Sequence, residues 1–182
     1  RFDKLGWDVK WMGSRSDASW GSKNPCEGYG GHNAESIASK YQVNAASITA
    51  DVLLLHAGHN YNVGDARLTP APMSESAIIT AVTNAHARII ASARAQNPEV
   101  VVLYAKVITS GGNRGLKYSY IPNLNKAIGV LADELNTSKS PVISVDMAAG
   151  WNYAVDCVAD CVHPNAVGAA KMADKWMAAI SP

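Results

Sequence analysis

The sequence predicts an α/β domain in which a mainly parallel sheet lies between layers of helices. Three apolar runs carry that expectation: Asp51–His56 (DVLLLH), Val100–Ile108 (VVVLYAKVI) and Val142–Asp146. Each has strand length and ends at turn residues, as a strand buried on both faces should. Between and after them the apolar residues recur at helical spacing, and such alternation of strand and helix builds parallel sheets. No repeat, linker or low-complexity stretch divides the 182 residues, so one domain over 1–182 is expected.

Taken in order, Asp8–Met12 reads as a short strand between Gly6 and Gly13. Residues 14–31 are rich in Ser, Gly, Asn and Pro and read as a long loop. A helix is expected from Asn33, which suits an N-cap, to about Tyr41. After the first apolar run and a loop over 58–72, Ser74–Asn97 shows helical spacing through Ile78, Val82, Ala85, Ile89 and Ile90, with Ser74 as cap. Residues 110–120 form a polar loop. Ile121–Ser138 then carries a stripe of Leu124, Ile128, Leu131 and Leu135, with Pro122 in the first turn where proline is tolerated. The loop over 147–162 delivers the chain to a last helix, Ala166–Ile180.

Composition removes several functional classes. Apolar residues make up 48% and charged residues 17%, with a formal net charge of +1, so no basic surface points to nucleic acid. No window reaches the roughly 18 uninterrupted apolar residues of a membrane span. Cys26, Cys157 and Cys161 allow one internal disulfide at most, and Cys26 bridged to either of the others would staple an early loop to the last one. Their spacing does not suit structural zinc, and no cofactor or metal site is expected.

In parallel α/β folds, functional groups collect on the loops that leave the C-terminal ends of strands. Three such loops carry chemistry. Residues 26–32 (CEGYGGH) place glycines before a helix, where backbone N–H groups can turn outward. Gly58-His59-Asn60 follows the second expected strand with an amide donor. Asp160-Cys161-Val162-His163-Pro164-Asn165 sets an acid and an imidazole three residues apart at a helix entrance. A histidine there suits a general base, oriented by the carboxylate. Each block alone also suits an ordinary turn or helix start; together they supply an oxyanion hole, a base and its orienter, the parts for acyl transfer.

In that order the three blocks resemble the SGNH (GDSL-type) hydrolase superfamily, and specifically the acetylxylan esterases of carbohydrate esterase family three. Glu27, Gly28 and Gly31 match that family's Glu-Gly-x-x-Gly. Gly58 and Asn60 match its Gly-Thr-Asn-Asp, with His59 and Tyr61 in place of threonine and aspartate. Asp160, His163, Pro164 and Asn165 match its last block, and Gly168 and Met172 fit the helix behind it. The stretches 94–106, 121–125 and 141–146 also read like the family. The resemblance implies a three-layer α/β/α sandwich, flavodoxin-like, and serine-dependent removal of acetyl groups from plant polysaccharide. It implies His163 as base, Asp160 as its partner, and Gly31 with Asn60 as oxyanion donors. It also implies secretion.

One block is missing. Members of the family begin with a strand ending in Gly-Asp-Ser, whose serine is the nucleophile, and this sequence has no such tripeptide. Residues 1–14 resemble instead the approach to the family's second strand and that strand. By that register the first strand lies upstream of Arg1 and the domain reads as N-terminally truncated. A central strand is then lacking, and a second copy of the chain is one candidate to cover the gap. Ser14 and Ser16 stand on the expected edge of the sheet but outside the family's nucleophile turn, Ser22 and Ser110 are poorer candidates, and the nucleophile is not identified. Trp20, Tyr61 and Trp151 are the candidate sugar-stacking aromatics among polar loops, which favours an acetylated polysaccharide over a greasy acyl tunnel. Two rivals stand beside the carbohydrate esterase: a catalytically silent protein of this fold that binds glycan or a partner, and a general lipase or esterase on small acyl esters.

Overall fold

The computed structural model describes residues 5–16, 25–64 and 70–180. Within them the sheet has three parallel strands in the order β1 (Val52–Leu55), β2 (Val101–Lys106), β3 (Val142–Asp146). Val52 pairs with Val101 and Leu55 with Tyr104, and Val102 pairs with Val142 and Lys106 with Asp146. The helices are α1 (Ala34–Asn44), α2 (Glu75–Gln96), α3 (Ile121–Leu135), α4 (Tyr153–Asp156) and α5 (Ala166–Ile180).

β2 shows why its sequence is a continuous apolar run. Its alternate residues enter two different cores: Val102 and Tyr104 join one with residues of α1, α2 and α3, while Leu103 and Ala105 join another with Met172, Trp176 and Ile180 of α5. A strand covered on both faces has no polar side, so no period-two polarity is left in the sequence. Helices therefore lie on both sides of the sheet, as an α/β/α sandwich requires.

The caps follow the sequence. Asn33 Oδ1 accepts from Ser36 N at 3.0 Å and Ser74 Oγ from Ala77 N at 3.2 Å, each satisfying a donor that a helix start leaves unpaired. Arg94, on the last turn of α2, ties three segments together. Its guanidinium donates to the Ser140 hydroxyl at 2.9 Å, the Leu135 carbonyl at 2.7 Å and the Ser140 carbonyl at 2.8 Å. Arg94→Met should lower stability by about 2 kcal/mol, because the buried Ser140 hydroxyl and the Leu135 carbonyl at the end of α3 lose a charged donor, while the Ser140 carbonyl keeps only the Thr137 hydroxyl. Urea unfolding followed by circular dichroism measures this.

Two expectations are corrected, and the cysteine pairing that the sequence leaves open is answered. Residues 8–12 form no strand. A strand exists only as one side of a ladder, and the nearest ladder contact is the isolated antiparallel bridge between Arg15 and Cys26, beyond this stretch. Trp7, Val9 and Trp11 are 38%, 37% and 41% exposed, while Met12 packs against the core. β1 is correspondingly an edge strand among the described residues, with Val52 40% exposed. The three cysteine thiols are unpaired: Cys26 is exposed, Cys157 buried and Cys161 partly exposed. Second, the last loop contains the one-turn helix α4, capped by Asn152 Oδ1 on Ala154 N at 3.0 Å. Among the described residues no helix is long and apolar enough to cross a membrane.

Candidate active site

The last loop is held by hydrogen bonds within itself. Asp160 Oδ2 lies 2.5 Å from His163 Nδ1, and Asp160 Oδ1 accepts the backbone N–H groups of Val162 at 2.9 Å and His163 at 3.0 Å. The hydrogen bond to the His163 ring, then those two backbone donors, hold the Asp160 carboxyl well below the usual carboxylate range. An ionised Asp160 fixes the tautomer with the proton on Nδ1 and leaves Nε2 as the accepting nitrogen. The His163 side chain is 77% exposed, so that nitrogen is open to a reactant.

Asn165 holds this loop to the helix behind it. Its Oδ1 accepts from Val167 N and Gly168 N at 2.9 and 3.0 Å, capping α5, and its Nδ2 donates to the carbonyls of Val155 and Cys157. A residue with both a donor and an acceptor is needed there, which explains the asparagine after His163-Pro164. Beneath the loop, Lys171 of α5 pairs with the fully buried Asp156, with Nζ 2.8 Å from Oδ1 and 2.9 Å from Oδ2.

The loop after β1 is fixed from below. Tyr120 Oη donates to the Gly58 carbonyl at 2.7 Å, and Asn60 adopts a left-handed backbone with φ of 68°. Asn60 Nδ2 then donates one hydrogen to the His32 carbonyl at 3.0 Å, which joins this loop to the glycine-rich one. The amide carries a second hydrogen that this bond does not use. Gly31, immediately before His32, has φ of +78°, a conformation that favours glycine, and the space where its Cβ would stand is open.

His59 links that pair to the last loop. Its Nε2 is 3.2 Å from Ser110 Oγ, and its ring meets the edge of Tyr118 at 5.3 Å between centroids. Burial, followed by the proximity of His56 and of His163, lowers its pKa to about 3, so the ring is neutral at ordinary pH. Ser110 is followed by Gly111, whose N–H donates to the Cys161 carbonyl at 3.1 Å, two residues before His163. Gly31, Asn60, His59, Ser110 and the Asp160–His163 loop are thus joined by successive contacts.

Other expected residues lie elsewhere. Ser14 Oγ accepts from Asn44 Nδ2 at 2.9 Å and lies 3.2 Å from Tyr29 Oη, and its N–H donates to Glu27 Oε1. Burial pushes the Glu27 carboxyl up, but the bonds from Ser14, Tyr29 and Asn44 outweigh it and leave it below its ordinary value. Ser14 and Glu27 therefore tie the loop before α1 to Asn44 at the end of that helix, and among the described residues no serine hydroxyl bonds to His163. Tyr61 is corrected as a sugar platform: it is 1% exposed, its ring packed on Tyr120 and its hydroxyl reaching Glu35 at 3.4 Å. Trp151 is half-buried against the second core, with Nε1 donating to the Thr109 carbonyl at 3.0 Å. Trp20 and Ser22 lie outside the described residues. Among the described residues no three His, Cys, Asp or Glu side chains converge as a metal site.

No protein-family model matches the chain, and no curated protein matches it. Solved structures do. A family 3 carbohydrate esterase from Clostridium thermocellum is similar at a TM-score of 0.71 and 20% identity, over 98% of this chain and 80% of its own. A carbohydrate esterase family 3 structure from Talaromyces cellulolyticus is similar at 0.67 and 24% identity, over 90% and 72%. A GDSL-like lipase from Bacteroides thetaiotaomicron follows at 0.57 and 17%, over 82% and 71%. With helices on both faces of a parallel sheet and these neighbours, the chain has an SGNH-hydrolase-like fold.

Proposed function

We propose that the protein hydrolyses esters by acyl transfer at the Asp160–His163 loop and that its substrates are O-acetylated carbohydrates. The observation that carries this reading is the Asp160–His163 pair, a carboxylate on Nδ1 with Nε2 left on an exposed ring edge. His163 takes the proton of a serine hydroxyl as its oxygen attacks the ester carbonyl. The N–H of Gly31 and the free hydrogen of Asn60 Nδ2 receive the oxyanion, and Asp160 stabilises the imidazolium. The tetrahedral intermediate collapses, the alcohol leaves with the proton from His163, and water then releases acetate by the same steps. Ser14 does not supply the hydroxyl, because Asn44 and Tyr29 engage it.

Support for esters comes from the neighbours of similar fold, two described as carbohydrate esterases and one as a GDSL-like lipase. Preference for a sugar ester over a long-chain lipid rests on the polar side chains of His59, Asn60 and Ser110 in these loops. The test is acetate release from acetylated xylan and from p-nitrophenyl acetate, by the protein and by His163→Ala. Release that disappears in His163→Ala upholds the proposal. Absence of release leaves the silent binding protein as the better reading, and release indifferent to His163 overturns the role given to His163.

A further inference from the structure

Asn136-Thr137-Ser138, in the loop between α3 and β3, is the one Asn-x-Ser/Thr triplet in the sequence, the acceptor pattern for an N-linked sugar. All three residues are exposed. Asn136 Oδ1 accepts at 3.0 Å from the backbone N–H of Val142, the first residue of β3. That bond uses the oxygen alone, and among the described residues no acceptor takes a hydrogen of Asn136 Nδ2. Thr137 and Ser140 fix the loop from inside. Ser140 N donates to Thr137 Oγ1 at 3.0 Å, Thr137 Oγ1 donates to the Ser140 carbonyl at 3.2 Å, and the buried Ser140 hydroxyl donates to the Val100 carbonyl at 2.6 Å. Ser138, between them, is exposed and takes no part in these bonds.

We infer that Asn136 is a modification site, which carries one N-linked oligosaccharide when the chain is secreted by a eukaryotic cell. The acyl-transfer reading has no part in this assignment. In the reaction Nδ2 forms a bond to C1 of the first sugar of a lipid-linked oligosaccharide diphosphate. The C1–oxygen bond breaks, the polyprenyl diphosphate leaves with that oxygen, and one amide proton passes to a base of the transferase. The product is still an amide, so its oxygen keeps the bond from Val142 N, and the sugar is borne by the atom that the fold leaves unused. The sugar also stands away from the base. The strands are parallel, so the loop before β3 lies at their N-terminal end, whereas Ser110 follows β2 at the other end, where Gly111 N bonds to the Cys161 carbonyl of the His163 loop. The five residues of β3 separate the two ends by roughly 15 to 17 Å.

The experiment is secretion of the full chain, behind a leader peptide, from a eukaryotic host that glycosylates, followed by intact-mass measurement and peptide mapping before and after peptide N-glycosidase. One oligosaccharide on Asn136, released with conversion of that residue to aspartate, upholds the site. Ser138→Thr should keep the sugar. Ser138→Ala, which removes none of the bonds that fix the loop, should abolish it, and so should Asn136→Asp, whose Oδ1 still accepts from Val142 N. Circular dichroism of each variant establishes that it is folded. An unmodified Asn136 in the secreted, folded protein overturns the inference, as does sugar that persists in Ser138→Ala. The thermal midpoint of the sugar-bearing form should be no lower than that of the deglycosylated form. A lower one would show that the sugar breaks the Val142 bond, and would overturn the geometry on which the site rests.

Discussion

Asp160→Asn is expected to lower kcat for ester hydrolysis by about 10³- to 10⁴-fold with the fold intact. The carboxylate accepts on both oxygens: the His163 ring on Oδ2, and two backbone N–H groups on Oδ1. An asparagine keeps its Oδ1 on those backbone donors, which turns its NH2 toward the ring. That group donates, so His163 Nδ1 must become the acceptor and the remaining ring proton moves to Nε2, where a proton has to be received. The loss should fall on kcat with KM nearly unchanged, because the position of the ring survives while its basic nitrogen does not. A KM effect with kcat preserved would show that Asp160 shapes the binding surface and has no part in proton transfer.

Acid should unfold the protein well above the carboxylate range. His56, His59 and His86 have pKa values lowered from 6.5 to about 4, 3 and 3, each first by burial. His86 is fully buried, with Nδ1 2.7 Å from Tyr104 Oη and the two rings edge to face. The folded values lie below the unfolded one, so between about pH 6.5 and 4 the unfolded chain binds more protons and folding weakens as pH falls. Their contribution is complete above pH 6.5. At pH 5 each neutral histidine costs up to about 2 kcal/mol, and the three together about 3 to 5 kcal/mol once the partly exposed His56 and His59 are discounted. That is much of a typical domain's 5–15 kcal/mol. Asp160 acts in a different window, keeping its contribution until pH falls below its ordinary value of 3.8. Urea titrations at pH 7 and pH 5 measure the difference, and His86→Gln, which keeps an acceptor for Tyr104 without a titrating ring, should reduce it. Equal stability at the two pH values would mean that these rings are hydrated in solution.

What was legible in the sequence was local or periodic. The apolar runs of β1, β2 and β3 announce strands because both faces of each meet a core, and the stripe of α3 announces its buried face. The Asp160–His163 pair was legible because acid, base, proline and cap lie within six residues, and the contacts that arrange them stay within that stretch. Residues 8–12 have a strand's alternation, yet pairing depends on a partner that local pattern does not supply. Tyr61 reads as a loop aromatic, and its burial comes from Tyr120, 59 positions away. The His59–Ser110 pair joins residues 51 positions apart, and only the juxtaposed exits of β1 and β2 bring it together. The helix α4, from Tyr153, carries no signal in the sequence because it is a single turn inside an irregular loop.

The central claim, that His163 activates a serine for acyl transfer, is tested most directly with a fluorophosphonate probe. Such a probe forms a stable phosphorus–oxygen bond with an activated serine and expels fluoride. Intact-mass measurement followed by peptide mapping should show one adduct, on a single serine other than Ser14, with labelling strongly slowed in His163→Ala and in Asp160→Asn. No adduct, or an adduct formed equally fast without His163, would contradict the account.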